Sequence, residues 1–302
     1  RAVLATRHDG APYEFVAVGS RDRARGEEYA RANDIPRAHG SYDDLLADDG
    51  VDAVYIALPN KLHQEWTMRA LAAGKHVLCE KPFTREPAEV ETTWVDAERR
   101  GLVVMEAFMW RHNPQAKTFS ELLPRIGELQ AVHSTFSFRL EREPNVRLEK
   151  EVGGGSLLDV GCYCVSALRL VAGREPDRVY GEASYGRGGV DEGFAGVLRF
   201  GEVLGTFHSG FRSESRSLTA VGSEGTLTTF DPWLSTDPVI RLNGEEHDVE
   251  RVSSYELELE NFCAAVRGEA QPLLGRDDSL GQARTLDALL RSAETGTAVS
   301  LA

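Results

Sequence analysis

Cysteine is scarce in this chain. Four occur in 302 residues, Cys79, Cys162, Cys164 and Cys263. None has the spacing of a metal site, and reduced thiols in a cytoplasmic protein are the simplest expectation. Basic runs are absent too. The net charge is −14, so a nucleic-acid binder, which would show a basic patch, is set aside. No apolar stretch approaches the roughly 20 residues of a membrane helix, and the first residues show no signal-peptide pattern. There is no G-x-S-x-G elbow and no H-E-x-x-H, which removes two large hydrolase classes. Repeats and low-complexity tracts are missing. What remains is a soluble globular profile, 41% hydrophobic and 27% charged, long enough for one large or two medium domains.

The first half alternates strand and helix at short spacing. Apolar runs at 14–19, 51–59, 75–80 and 102–108 read as strands. Polar or amphipathic stretches at 21–33, 60–73 and from Thr84, as cap, to about Gly101 read as helices between them, and Ser41 caps another. This is the signature of a parallel, doubly wound sheet. Residues 1–8 look like a helix fragment. A dinucleotide fold normally opens with a strand and a Gly-rich turn whose amides hold the pyrophosphate. Neither is visible here, so the expectation is a chain that lacks its natural start. After residue 113 the pattern changes to period-two runs at 129–140, 178–185, 193–200, 203–209, 217–221 and 226–230, which predict a large mixed or antiparallel sheet. Helices over 255–267 and 279–293 close the chain. The expected division is a dinucleotide-binding domain over 1–113 and an α+β domain over 114–302 for substrate binding and oligomerisation.

Two stretches carry chemistry. In Gly153-Gly154-Gly155-Ser156-Leu157-Leu158-Asp159-Val160-Gly161-Cys162-Tyr163, Ser156 reads as the cap of an apolar helix that Gly173 stops. Asp159 and Tyr163 are four apart and share a face of it. They read either as a site or as the first turn and core of an ordinary buried helix. In His76-Val77-Leu78-Cys79-Glu80-Lys81-Pro82, Pro82 ends a buried strand and leaves Lys81 at its carboxyl edge. That edge is where open α/β sheets bind ligands.

Glu80-Lys81-Pro82 followed by Asp159-x-Gly161-x-Tyr163 resembles the glucose–fructose oxidoreductase / inositol dehydrogenase (Gfo/Idh/MocA) family. The likeness is greatest to its branch with Tyr in place of His, and it runs along nearly the whole chain. The resemblance implies an NAD(P)-dependent oxidoreductase acting on a sugar, sugar derivative or diol, with a homodimer or homotetramer formed through the C-terminal sheet. It places Leu58, Pro59, Asn60 and His63 beside the nicotinamide ribose and Glu80 on the cofactor side. Glu106-Ala107-Phe108-Met109-Trp110-Arg111 is similar to a family stretch, which implies Glu106, Trp110 and Arg111 as a wall of the nicotinamide and substrate site; Phe108 and Met109 read equally well as core.

The expected roles rest on the chemistry. Hydride transfer to a carbonyl leaves an alkoxide that needs a proton. Tyr163 is the candidate acid/base, Lys81 the cation that lowers its pKa, and Asp159 a positioning group. No metal is needed for this. Ser20 and Arg21, after the second sheet strand, suit a 2′-phosphate better than a 2′-hydroxyl, with Arg25 one turn on, so NADP is the expected cofactor and NAD the lesser one. Asp22 is the acid that could be miscounted there. The alternatives are a redox-inactive nucleotide sensor and an NAD-dependent glycoside-cleaving enzyme that cycles its redox steps internally. The loop 142–150, with Glu149, Lys150 and the adjoining Glu151, is either a pocket lining or a solvated charged loop.

Overall fold

The computed structural model describes residues 13–141, 144–234 and 238–301. The helix expected over 1–8 lies outside these residues. The parallel strands fall into two groups. β1 (Ala17–Gly19) pairs with β2 (Arg37–His39), and β3 (Ala53–Ile56), β4 (His76–Glu80) and β5 (Val104–Ala107) form the other sheet. β2 is a strand that the sequence pattern does not announce, because three residues are too few for a period to show. In β3–β5 the register aligns Ile56 with Cys79 and Glu80 with Ala107. The three carboxyl ends therefore open on one edge.

The connecting helices are α1 (Arg23–Ala32), α2 (Tyr42–Leu46), α3 (His63–Ala72) and α4 (Pro87–Arg100). Ser41 caps α2 as expected, accepting from the Asp44 amide at 3.0 Å. Thr84 does not cap α4. Glu86 holds the cap position and Pro87 the first turn, where its missing N–H costs nothing. Thr84 Oγ1 instead accepts from the Glu86 amide at 3.0 Å and donates to Glu89 Oε2 at 2.5 Å. Gly101 takes the left-handed conformation that ends α4, at φ 68°.

α5 (Pro114–Leu122) leads into the C-terminal part. Its strands are β6 (Leu129–Ser137), β7 (Arg178–Tyr185), β8 (Asp191–Phe200), β9 (Val203–Gly210), β10 (Ser215–Gly222), β11 (Thr226–Phe230), β12 (Val239–Leu242), β13 (Glu245–Asp248) and β14 (Val299–Ser300). They form one nine-stranded sheet in the order β13-β12-β11-β10-β6-β9-β8-β7-β14. Only the β6–β9 pair is parallel among these described strands. The sequence pattern does not announce the last three strands, which are short and lie toward the sheet edges.

One face of this sheet is covered by α6 (Cys162–Ala172), which packs on β6 and β9. Nine of its eleven residues are buried, so it is a core helix. The sequence reading that no stretch reaches membrane-span length needs correction. The helical segment Lys150–Ala172 does by length and composition, but 83% of its apolar window is buried inside the protein. α7 (Ser254–Val266) comes next, and α8 (Arg276–Thr295) then returns to pack on both α4 and α6. Leu280 and Ala283 of α8 join the apolar cluster of the parallel sheet, and Leu286 and Leu289 join that of the large sheet. The two sheets are thereby tied through one helix.

Candidate active site

The site forms where the carboxyl edge of β3–β5 meets the start of the helix leading into α6. Lys81 leaves β4 through a cis Lys81–Pro82 bond, and its ammonium reaches across the sheet boundary. Nζ donates to the Asp159 carbonyl at 2.6 Å and stands 3.7 Å from Asp159 Oδ1. It also lies 4.9 Å from the Tyr163 ring centroid. The structure thus brings together Lys81, Asp159 and Tyr163, residues far apart in the chain. Burial works against the Lys81 charge, but Cys162, Asp159 and Glu80 together outweigh it and hold the ammonium above the ordinary lysine range.

Tyr163 stands in an aromatic box. Phe108, Phe136 and Trp233 meet its ring edge to face at 5.4, 5.2 and 5.8 Å. Its hydroxyl donates to Met109 Sδ at 3.5 Å, a weak acceptor. The expectation that Lys81 lowers the Tyr163 pKa is not met in this structure. Burial pushes the phenol well above its ordinary value, and Glu80 adds to the shift. The physical reason is placement, since Lys81 faces the ring while the hydroxyl is turned to Met109 Sδ.

Asp159 has a partner that the sequence reading missed. Arg147 Nε donates to Asp159 Oδ2 at 2.6 Å, and the guanidinium covers the Phe138 ring at 5.7 Å. In the loop 142–150 and the adjoining Glu151, the charges of Glu149, Lys150 and Glu151 are exposed, as the solvated reading has it, and Arg147 is the side chain that meets Asp159. The three glycines explain how the loop gets so close. A Cβ on Gly154 would stand 2.5 Å from the Arg147 carbonyl oxygen, and one on Gly155 2.2 Å from Asp191 Oδ1. Ser156 is not the helix cap. Its backbone is already helical and its side chain makes no capping bond; Asp191 of β8 accepts from the Leu157 amide at 2.7 Å instead. The next turn, Leu157–Gly161, is π-helical.

The predicted cofactor residues divide into two groups. Ser20 and Arg21 lie at the end of β1 and Arg25 in the first turn of α1, and both arginines are exposed. Asp22 is engaged as the N-cap of α1, accepting from the Arg25 amide at 3.2 Å, and Ser20 Oγ accepts from the Asp22 amide at 3.2 Å. Leu58, Pro59 and Asn60 form the turn after β3, and Asn60 Nδ2 donates to the Gly153 carbonyl at 2.9 Å. Glu80 accepts from the Tyr55 hydroxyl, a contact with no signal in the sequence, and its Oε2 accepts from the Lys81 amide at 3.2 Å.

His63 and Trp110 belong to the second group, whose side chains are turned away from the open edge. His63 is fully buried, with Nδ1 2.8 Å from the Pro82 carbonyl and Nε2 2.8 Å from the Leu58 carbonyl. It staples the turns after β3 and β4, and burial lowers its pKa. Trp110 is 1% exposed and packs on Trp233 at 5.3 Å, so it is core rather than wall. Arg111 pairs with Asp278 of α8 at 3.2 Å.

Glu106 is also inside, 1% exposed, with Oε1 accepting from the Phe83 amide at 2.8 Å. It holds the turn that carries Lys81. Burial pushes its carboxyl up to about 7. Because the folded value lies above the unfolded one near 4.5, the stability linked to its proton is present below about 4.5 and lost as pH rises through 7. A Glu106→Gln variant is not subject to that loss. Its unfolding free energy relative to wild type should therefore gain about 3 kcal/mol between pH 4.5 and pH 8, at about 1.4 kcal/mol per pK unit. Urea melts at the two pH values would show this, and a pH-independent difference would contradict it.

Lys81, Asp159 and Tyr163 thus meet at the carboxyl edge of a parallel sheet, where open α/β folds bind their ligands. Residues 1–108 match the model of an oxidoreductase family with an NAD-binding Rossmann fold, and residues 124–228 match the GFO/IDH/MocA C-terminal domain. The chain is 39% identical to D-xylose 1-dehydrogenase (NADP(+)) 2 of Haloferax volcanii over 99% of its own length and 94% of that protein's. It is 34% identical to trans-1,2-dihydrobenzene-1,2-diol dehydrogenase of Sus scrofa, over 76% of this chain and 70% of that one. Among solved structures, a 3-ketoreductase from Actinomadura kijaniata bound to NADP and TDP-benzene superposes with TM-score 0.87 at 30% identity, covering 92% and 89% of the two chains. The aldose–aldose oxidoreductase of Caulobacter crescentus shares the fold, with TM-score 0.88 at 24% identity over 95% and 91%. The chain belongs to the Gfo/Idh/MocA oxidoreductase family.

Proposed function

We propose that the protein is an NADP-dependent dehydrogenase or reductase of a sugar, sugar derivative or diol. The observation that carries this is the convergence of Lys81, Asp159 and Tyr163 at the sheet edge. A bound nicotinamide supplies or accepts the hydride at the substrate carbinol carbon. Tyr163 moves the hydroxyl proton. In the carbonyl-reducing direction its protonated phenol is the form needed, and the charge left on the phenolate spreads into a ring that faces the Lys81 ammonium at 4.9 Å. Asp159, fixed between Lys81 and Arg147, receives a substrate hydroxyl and orients it. Its negative charge opposes Tyr163 ionisation, so positioning suits it better than proton transfer.

Ser20 and Arg21 support NADP over NAD, because a hydroxyl and a planar cationic fork suit a 2′-phosphate. The xylose dehydrogenase relative carries NADP(+) in its name and the ketoreductase was solved with NADP, which supports the same choice. Arg21→Ala should weaken NADPH binding about 10- to 100-fold, the worth of one or two charge-assisted hydrogen bonds, and leave NADH nearly unchanged. Fluorescence titration with each cofactor decides it. Equal losses for both would remove the 2′-phosphate role.

Homo-oligomerisation is part of this reading. The outward face of the nine-stranded sheet carries exposed Tyr180, Val197, Leu204 and Phe230, and Tyr180 and Val197 are directly paired across strands. A second copy on this face would cover them. Light scattering should give two or four times the 33.2 kDa chain mass; a monomer would refute it.

A further inference from the structure

The segment that presents Asp159 is held at its start by a group from another element. Asp191, the first residue of β8, is 5% exposed. Its Oδ2 accepts from the Leu157 amide at 2.7 Å and from Ser156 Oγ at 2.8 Å. These are the first donors of the helical run, whose amide ends favour an anion. Gly155 lies so close that any Cβ would strike Asp191 Oδ1. Ser156 Oγ is also 3.2 Å from Ser209 Oγ of β9, so the run starts from a fixed point on the sheet.

Beyond that point lies the π-helical turn Leu157–Gly161, with the Asp159 amide bonded to the Gly155 carbonyl at 3.0 Å. On its far side Gln282 of α8 donates to the Cys162 carbonyl at 2.8 Å. The turn is pinned at both ends. Its middle supplies the Asp159 carbonyl that receives Lys81 and the carboxylate that meets Arg147. A π turn makes fewer favourable contacts than an α turn and recurs at functional sites. Its shape must be imposed from outside.

The geometry points to Asp191 as a positioning residue for the reaction: it anchors the turn that sets Asp159 and Lys81 in register. Its carboxylate bonds to Ser156 and Leu157 and so acts on Asp159 only through the turn between them. The inference rests on the function proposed above. Loss of the anchor would let the turn relax toward regular helix and shift Asp159 from Lys81, and misplacement of about 1 Å at such a site costs up to about 10²-fold.

The test uses the full chain, with turnover expressed per NADPH-binding site from fluorescence titration, so that misfolded protein is not counted. Asp191→Asn keeps the shape and loses the charge. The expected result is a fall in kcat per site of about 10- to 100-fold with the NADPH Kd unchanged. A lower melting temperature with kcat per site at the wild-type value would reduce Asp191 to a structural cap and overturn the inference. Should Asp191→Asn fail to fold, Ser156→Ala removes one of the two donors, and a smaller fall of the same kind is expected. Wild-type turnover in that variant would overturn the inference equally. A wild-type enzyme that turns over no sugar or diol would instead overturn the proposed function, and this inference with it.

Discussion

Tyr163→Phe should lower turnover by about 10²- to 10⁴-fold while NADPH binding stays within experimental error. The structure makes this a clean test. Among the described residues the hydroxyl meets only Met109 Sδ, at 3.5 Å, so its removal abandons one weak hydrogen bond. The ring contacts with Phe108, Phe136 and Trp233 are all kept by phenylalanine. The fold should therefore lose little stability, and a fall in turnover belongs to the missing proton. Steady-state rates alongside a thermal melt check both halves. Wild-type turnover in the variant would remove Tyr163 as acid/base.

Lys81→Met should be as damaging for a different reason. Methionine keeps most of the buried stem and deletes the ammonium. The Asp159 carboxylate retains Arg147 at 2.6 Å, but its carbonyl loses its 2.6 Å donor. Any phenolate or alkoxide formed at the site then lacks its cation. Removing one such donor elsewhere costs about 10²- to 10³-fold in kcat. If Lys81 and Tyr163 act as a unit, the double variant should be scarcely slower than the slower single one, because the second change deletes a group already out of use. Strictly multiplicative losses would mean that the two act independently.

The alternation of strand and helix makes the parallel sheet legible, since apolar runs ending in Pro or Gly mark both the strand and its carboxyl edge. Lys81 is legible for the same reason: Pro82 ends β4 and fixes the place of the residue before it. Three features are not, and each depends on groups far apart in sequence. Ser156 before an apolar helix reads as its cap, but the capping carboxylate comes from Asp191, 35 residues away. Arg147 sits in a charged loop, and nothing local says that its guanidinium turns inward to Asp159. The Tyr163 box is assembled from β6, the segment after β5 and Trp233, so no local periodicity shows it. The spacing of His63 after Pro59-Asn60 fits a cofactor turn, and nothing local says that its two ring nitrogens lie 2.8 Å from the Pro82 and Leu58 carbonyls. Two long-range signals are present in hindsight. The glycine triplet marks the close approach of the loop, and an aspartate opening β8 marks a buried anion.

The proposed reaction is hydride movement between a sugar-like carbinol carbon and NADP. It is tested most directly by isotope. The full-length enzyme would be incubated with NADP⁺ and aldoses, polyols and diols deuterated at their carbinol carbons, and the reduced nicotinamide measured by mass spectrometry. The prediction is NADPH carrying deuterium from at least one substrate, and none formed by Tyr163→Phe on the same timescale. NADP⁺ bound but never reduced by any of them would contradict the account and favour a sensor or an internally cycling enzyme.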